Sequence, residues 1–148
     1  MYGAVLLVHL LAATIWTGGH LVLALTILPV VLRQKDVAYL SRFEAGYERI
    51  GIPALILQVL SGLWLAFQRL PDIGAWLDFG DPVARPIAIK LTLLLLTVVF
   101  ALDARLRVIP NLSANNLNAL AWHAVPVTVI AVLFVVTGVS FRTGWLGW

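Results

Sequence analysis

Residues 5–31 read VLLVHLLAATIWTGGHLVLALTILPVV. A helix needs only about 20 apolar residues to cross the hydrocarbon core of a bilayer, so this stretch predicts a transmembrane helix longer than one crossing requires. It then tilts or extends beyond the lipid. Two histidines, His9 and His20, interrupt it. An ionisable side chain is costly at that depth and belongs in a protein interior. Eleven residues at about 100° each bring both histidines to within about 20° of one direction, so they share a stripe. The helical rise separates them by roughly 16 Å. One metal ion cannot touch both, and the helix offers imidazoles at two depths.

The rest of the chain fits the same class. Of 148 residues, 61% are hydrophobic and 11% charged, with a mean hydropathy of +0.99. That excess of apolar surface excludes a soluble domain. Four apolar segments predict helices over about 2–32, 45–68, 87–107 and 119–142. The fold class expected is therefore all-α, an integral membrane four-helix bundle, with residues 1–148 forming a single transmembrane domain. The first segment has no basic lead and too long an apolar run for a signal peptide, so it is expected to be retained. Pro29 is expected to bend or end the first helix. Pro53, Pro86 and Pro126 are placed near helix starts, where a missing N–H is tolerated. The amphipathic stretch 36–50 is helical in pattern and leads into the second helix. Residues 68–85, with Pro71, Gly74, Gly80 and Pro82 among three aspartates, read as an irregular lid.

Basic residues set the expected orientation. Arg33, Lys35, Arg42, Arg49, Arg105 and Arg107 flank one side, and Arg69, Arg85 and Arg142 the other. The excess assigns the first side to the cytoplasm. The chain then sits in the cell inner (plasma) membrane with both termini outside, or periplasmic in a bacterium. Trp76, Trp145 and Trp148 fit an outer aromatic belt, and Trp122 an inner one. The positive charge is thus topological, and no nucleic-acid partner is expected; membrane lipid is.

Comparing depths along the helices sorts the polar residues into two levels. His9 lies roughly 12 Å and Lys90 about 10 Å outward of the midplane; His20 lies about 5 Å, Asp103 about 9 Å and His123 about 10 Å inward. The inner level reads as a ligand pair. His20 and His123, on opposite helices, are placed to grip a haem iron from its two faces, with Asp103 accepting an imidazole N–H. Other readings stay open. His123 follows Trp122 and fits an interfacial position. Asp103 stands four residues before Arg107 and fits an i,i+4 ion pair. In the outer level, His9 is a candidate ligand for a second haem or a metal, and Lys90 either assists with its charge or snorkels to the interface. Trp16 lies on the same stripe, as a cofactor contact or as core packing. Gly18 and Gly19 beside it permit close approach of a macrocycle or of another helix. There is no cysteine, and Met1 is the sole methionine. Disulfides are excluded, and so are the soft sulfur ligands that select Cu(I). Neither a hydrolytic triad nor a phosphate loop is present.

His9, Trp16 and Gly19 form the arrangement H-x6-W-x2-G. The second helix reads YERIGIPALILQVLSGLWLA, the third opens with Lys90-Leu91, and the fourth carries Val125-Pro126. In this order the motifs resemble the copper-resistance D (CopD) family and the related HemJ-type protoporphyrinogen oxidases. The resemblance implies a four-helix membrane bundle able to bind haem b, with His9 as the matching histidine and Lys90 as the matching lysine. The chain departs where the HemJ type has Glu ahead of Val-Pro, for Trp122-His123-Ala124 stands there, and His20 is not part of the shared pattern.

Taken together, these readings favour a cytochrome b-like redox protein with one or two haems. His20 and His123 hold the first, and His9 with Lys90 a second haem or a metal. A quinol or another small reductant is the expected redox partner, and a homodimer the expected assembly. Any enzymatic activity is that of an oxidoreductase. The alternative is copper transport or resistance with the same histidines as metal ligands. A third reading is a porphyrinogen oxidase, by family analogy alone.

Overall fold

The computed structural model describes residues 1–147; Trp148, assigned above to the outer belt, lies outside the described residues. Four helices are long and apolar enough to cross a membrane: α1 (Tyr2–Gln34), α2 (Val37–Arg69), α3 (Arg85–Asn111) and α4 (Leu117–Thr143). The protein is an all-α, multi-pass membrane bundle. The helical form follows from the solvent. Lipid offers no partner to a backbone N–H or C=O, so each crossing segment must satisfy its own hydrogen bonds. Leucines such as Leu7, Leu25, Leu60 and Leu95 remain exposed on the surface of the bundle, as expected of side chains that face acyl chains.

The helices pack in the order α2–α1–α4–α3, with α1 against α2 and α4, and α3 against α4. Helices α2 and α3 are not among the closely packed pairs. An ion pair between Glu48 and Arg105 links them at the end of the bundle that carries Arg33, Lys35 and Arg107. Small and hydroxyl residues let the helices approach. Thr17 Oγ1 donates to the Ala131 carbonyl at 3.4 Å and Thr128 Oγ1 to the His20 carbonyl at 3.2 Å, tying α1 to α4. Ile27, Val31, Leu40, Val108, Leu117 and Leu120 form an apolar core at the basic end.

Several boundaries differ from the sequence expectation, each for a local reason. Helix α2 begins at Val37 rather than near 45, because Asp36 caps it by accepting the Tyr39 N–H at 2.8 Å. Pro53 and Pro126 therefore lie inside helices; Pro86 alone of the three stands at a helix start. Pro29 does not end α1. A π turn, Leu23–Ile27, precedes it and the helix resumes to Gln34. The same device recurs in α3, where the π turn Ala104–Val108 precedes Pro110. A proline ring collides with the carbonyl four residues back, and in both places the residue just before the proline makes a wider i→i−5 bond, Leu28 N–H to the Leu23 carbonyl and Ile109 N–H to the Ala104 carbonyl, which makes room. Lys35 closes α1 in the left-handed region, at φ 56°.

The α2–α3 loop is held by its own aspartates. Asp72 accepts from Gly74 N, Asp78 from Gly80 N, and Asp81 from Val83 N and Ala84 N, at 2.7–2.9 Å. Trp76 is not displayed to a lipid interface. It is buried under the loop, and its indole N–H donates to the Leu70 carbonyl at 2.8 Å. Trp122 and Trp145 are exposed, at 77% and 69%, as interfacial tryptophans are.

Candidate functional site: three histidines in unlike surroundings

His20 lies at the α1–α2 seam. A helix presents its side chains toward its own N-terminal turns, and the His20 Nδ1–H donates to the Trp16 carbonyl one turn back at 2.9 Å. A carbonyl can only accept, so this bond places the proton on Nδ1 and leaves the lone pair on Nε2. Trp16 stands 4.3 Å from the His20 ring, centroid to centroid. Tyr47 of α2 meets it edge-on, at 5.8 Å and 84°. The Tyr47 hydroxyl donates to the same Trp16 carbonyl at 2.9 Å and lies 3.4 Å from His20 Nδ1. Two glycines make room for that phenol. A Cβ on Gly19 would overlap the Tyr47 ring, and one on Gly51 would stand 2.9 Å from it. Phe43 stacks on its far side, 6.0 Å away.

Trp16 itself is a core residue. It clusters with Val127 and Ala131 of α4, and Leu55 of α2 and Phe100 of α3 pack against that cluster. Gly19 serves close packing, whereas Gly18 faces open space.

His9 is built on the same plan nearer the chain termini. Its Nδ1–H donates to the Gln58 carbonyl and to Ser61 Oγ, both at 3.0 Å. Ser61 spends its own proton on the Leu57 carbonyl. The ring sits over Gly62, where a Cβ would come within 3.0 Å of it. Lys90 of α3 carries its ammonium over Gly138 of α4. No carboxylate pairs with Lys90 among the described residues. The Gln58 side chain, 9% exposed, keeps an unpartnered Oε1 at this level.

His123 is different in kind. Its Nδ1–H donates to the Ala119 carbonyl at 2.7 Å, and its Nε2–H to Asp103 Oδ2 at 2.7 Å. Arg107 adds a second contact to Asp103, at 3.2 Å. Both ring nitrogens face oxygen acceptors, an arrangement that the doubly protonated ring satisfies in full. Asp103 thus does both things considered for it, accepting from an imidazole and forming the i,i+4 pair. Phe100 of α3 meets the His123 ring edge-on at 6.1 Å.

The expected iron site between His20 and His123 does not fit this arrangement. His20 faces Trp16 and Tyr47, whereas His123 faces Asp103 and α3 with both of its nitrogens already engaged by oxygen acceptors. Among the described residues no three His, Asp or Glu side chains converge to hold a metal. What the arrangement provides is two single imidazoles, His9 and His20. Each is fixed through Nδ1 and has no protein partner on Nε2 among the described residues. Tyr47 was missed by sequence reasoning. Its signal was weak: a tyrosine in a charged amphipathic stretch, one helical turn before Gly51.

Compared with known families, residues 41–142 match the model of CopD, copper resistance protein D. Neither the curated proteins nor the solved structures contain a match. The matched residues span most of the bundle and include Tyr47, Gln58, Lys90, Asp103 and His123; His9 and His20 precede them. More than half of the chain fits one family model, and the chain belongs to the copper resistance protein D family.

Proposed function

We propose that this protein handles copper as cargo within the membrane, taking the ion on single imidazoles inside the bundle. Family membership carries this reading, and the state of the histidines supports it. A ligating histidine commonly donates its other N–H to a carbonyl or carboxylate, which fixes the tautomer and aims the lone pair. His9 and His20 each do so. With no cysteine and only Met1, imidazole is the copper ligand available inside the bundle. It suits Cu(II), whereas Cu(I) sites favour sulfur.

The two histidines are not equivalent stops. The Lys90 charge beside His9 repels a cation at that level, while the ring neighbours of His20 are uncharged. His20 is therefore the stronger ligand and His9 a weaker station about 16 Å away along α1. Single ligands bind loosely, which suits an ion in passage. The positive-inside rule places the end with Lys35 and Arg105 in the cytoplasm of a cell with this protein in its inner membrane.

The test is a titration of Cu(II) into the full chain in lipid nanodiscs, read by electron paramagnetic resonance. Nitrogen hyperfine structure that disappears in His20→Ala supports the reading. A purified protein that binds no copper and carries a Soret band with reduced α-bands overturns it in favour of haem. Orientation is checked by single introduced cysteines, each unique in a chain that has none.

A further inference from the structure

The Tyr47 ring is more deliberately placed than helix packing requires. Two glycines on two helices, Gly19 and Gly51, give up their side-chain space to it. Its hydroxyl reaches across the seam to the one carbonyl, Trp16 O, that also receives the His20 Nδ1–H. With Trp16 near one side of the imidazole and Tyr47 edge-on to it, the ring has little freedom to rotate. The hydroxyl oxygen, 3.4 Å from His20 Nδ1, adds a second acceptor beside that proton.

From this geometry we infer that Tyr47 is a positioning residue, fixing the aim of the His20 ring, whose tautomer the Trp16 carbonyl sets, so that Nε2 meets an incoming copper ion as a bare lone pair. The inference rests on the copper reading above and deepens it, assigning to α2 control over a ligand carried by α1. Removing the hydroxyl leaves the Trp16 carbonyl to His20 alone and unties α2 from it, so the seam is free to shift. The imidazole keeps its proton on Nδ1, but its ring samples a wider range of orientations and Nε2 is less well aimed at the ion. Loss of such an outer partner weakens metal binding by about 10- to 100-fold. The phenyl ring of Tyr47→Phe still fills the glycine slot, so about 10-fold is expected for that change.

Two measurements on the full chain in nanodiscs decide it. The first needs no copper. In protein labelled with 15N at histidine, the wild type should show His20 as one sharp set of ring signals with the proton on Nδ1, and Tyr47→Phe should keep that tautomer but broaden or split the set. The second is the Cu(II) titration. Tyr47→Phe should weaken binding about 10-fold and alter the hyperfine pattern, Tyr47→Leu should do so further, and each variant should match the wild type in helical circular dichroism. A wild type that binds Cu(II) through His20 with an unchanged affinity and 15N spectrum in Tyr47→Phe overturns the role of Tyr47 and leaves the copper reading standing. A wild type that binds no Cu(II) removes the copper reading, and the role assigned to Tyr47 in metal binding falls with it.

Discussion

His20 and His123 begin alike and end as opposites. Each donates its Nδ1–H to the carbonyl one turn back in its own helix, Trp16 for one and Ala119 for the other. The difference lies at the other nitrogen. At the α1–α2 seam His20 meets aromatic rings and no carboxylate. At the basic end of α3 and α4, His123 meets Asp103 at 2.7 Å, and Arg107 and the Glu48–Arg105 pair extend the ionic group. The same side chain keeps one nitrogen without a protein partner in one region and has both engaged in the other. A buried position alone does not make a histidine a metal ligand; what stands 3 Å from its second nitrogen decides.

The most forceful way to break this contrast is to remove each imidazole in turn. His20→Ala should lower Cu(II) affinity by more than about 100-fold, beyond the loss of an outer partner. His123→Ala should leave it within about twofold. Equal losses would return the pair to a shared site. His9→Ala should fall between them, because a cation beside it already weakens binding at that level.

Next in size is the seam itself. Gly19→Ala drives a methyl into the Tyr47 ring, and overpacking of this kind costs about 1–3 kcal/mol, read as a lower thermal midpoint in detergent. Gly18→Ala, one residue away, meets nothing within 4 Å and should stay within about 0.5 kcal/mol of the wild type. A matching loss at Gly18 would show that helix bending, and not the phenol, sets the penalty.

Smaller effects belong to the ionic end. Asp103→Asn removes the counter-charge from His123 and Arg107, whose partner side chain is 81% exposed in the case of Arg107. Pairs open to solvent contribute about 0–1 kcal/mol, so the midpoint should fall slightly, and less in high salt. Glu48→Gln should cost no more than about 0.5 kcal/mol in stability. Its further readout is the α2–α3 separation at the basic end, measured between paired spin labels, since that ion pair links those helices there. An unchanged separation would show that the pair reports proximity without enforcing it.

Much of this was legible before any fold was in hand. Four apolar runs of crossing length determined the membrane class and the helical form, since lipid permits few other ways to satisfy a backbone. The stripe shared by His9, Trp16 and His20 follows from helical periodicity alone, and the nearness of Asp103 to Arg107 from i,i+4 spacing. Depth along a helix axis likewise brought His9 level with Lys90 and His123 level with Asp103. Depth did not carry azimuth. Which side of α4 faces α1, and therefore whether His123 turns toward His20 or toward Asp103, depends on how whole helices rotate against one another. That rotation is set by packing among residues distant in sequence: Thr128 on the His20 carbonyl, Trp16 clustered with Val127 and Ala131, Tyr47 in the slot between Gly19 and Gly51. Sequence determined which residues were costly to bury; the tertiary structure alone decided which of them found a proton acceptor and which kept a lone pair.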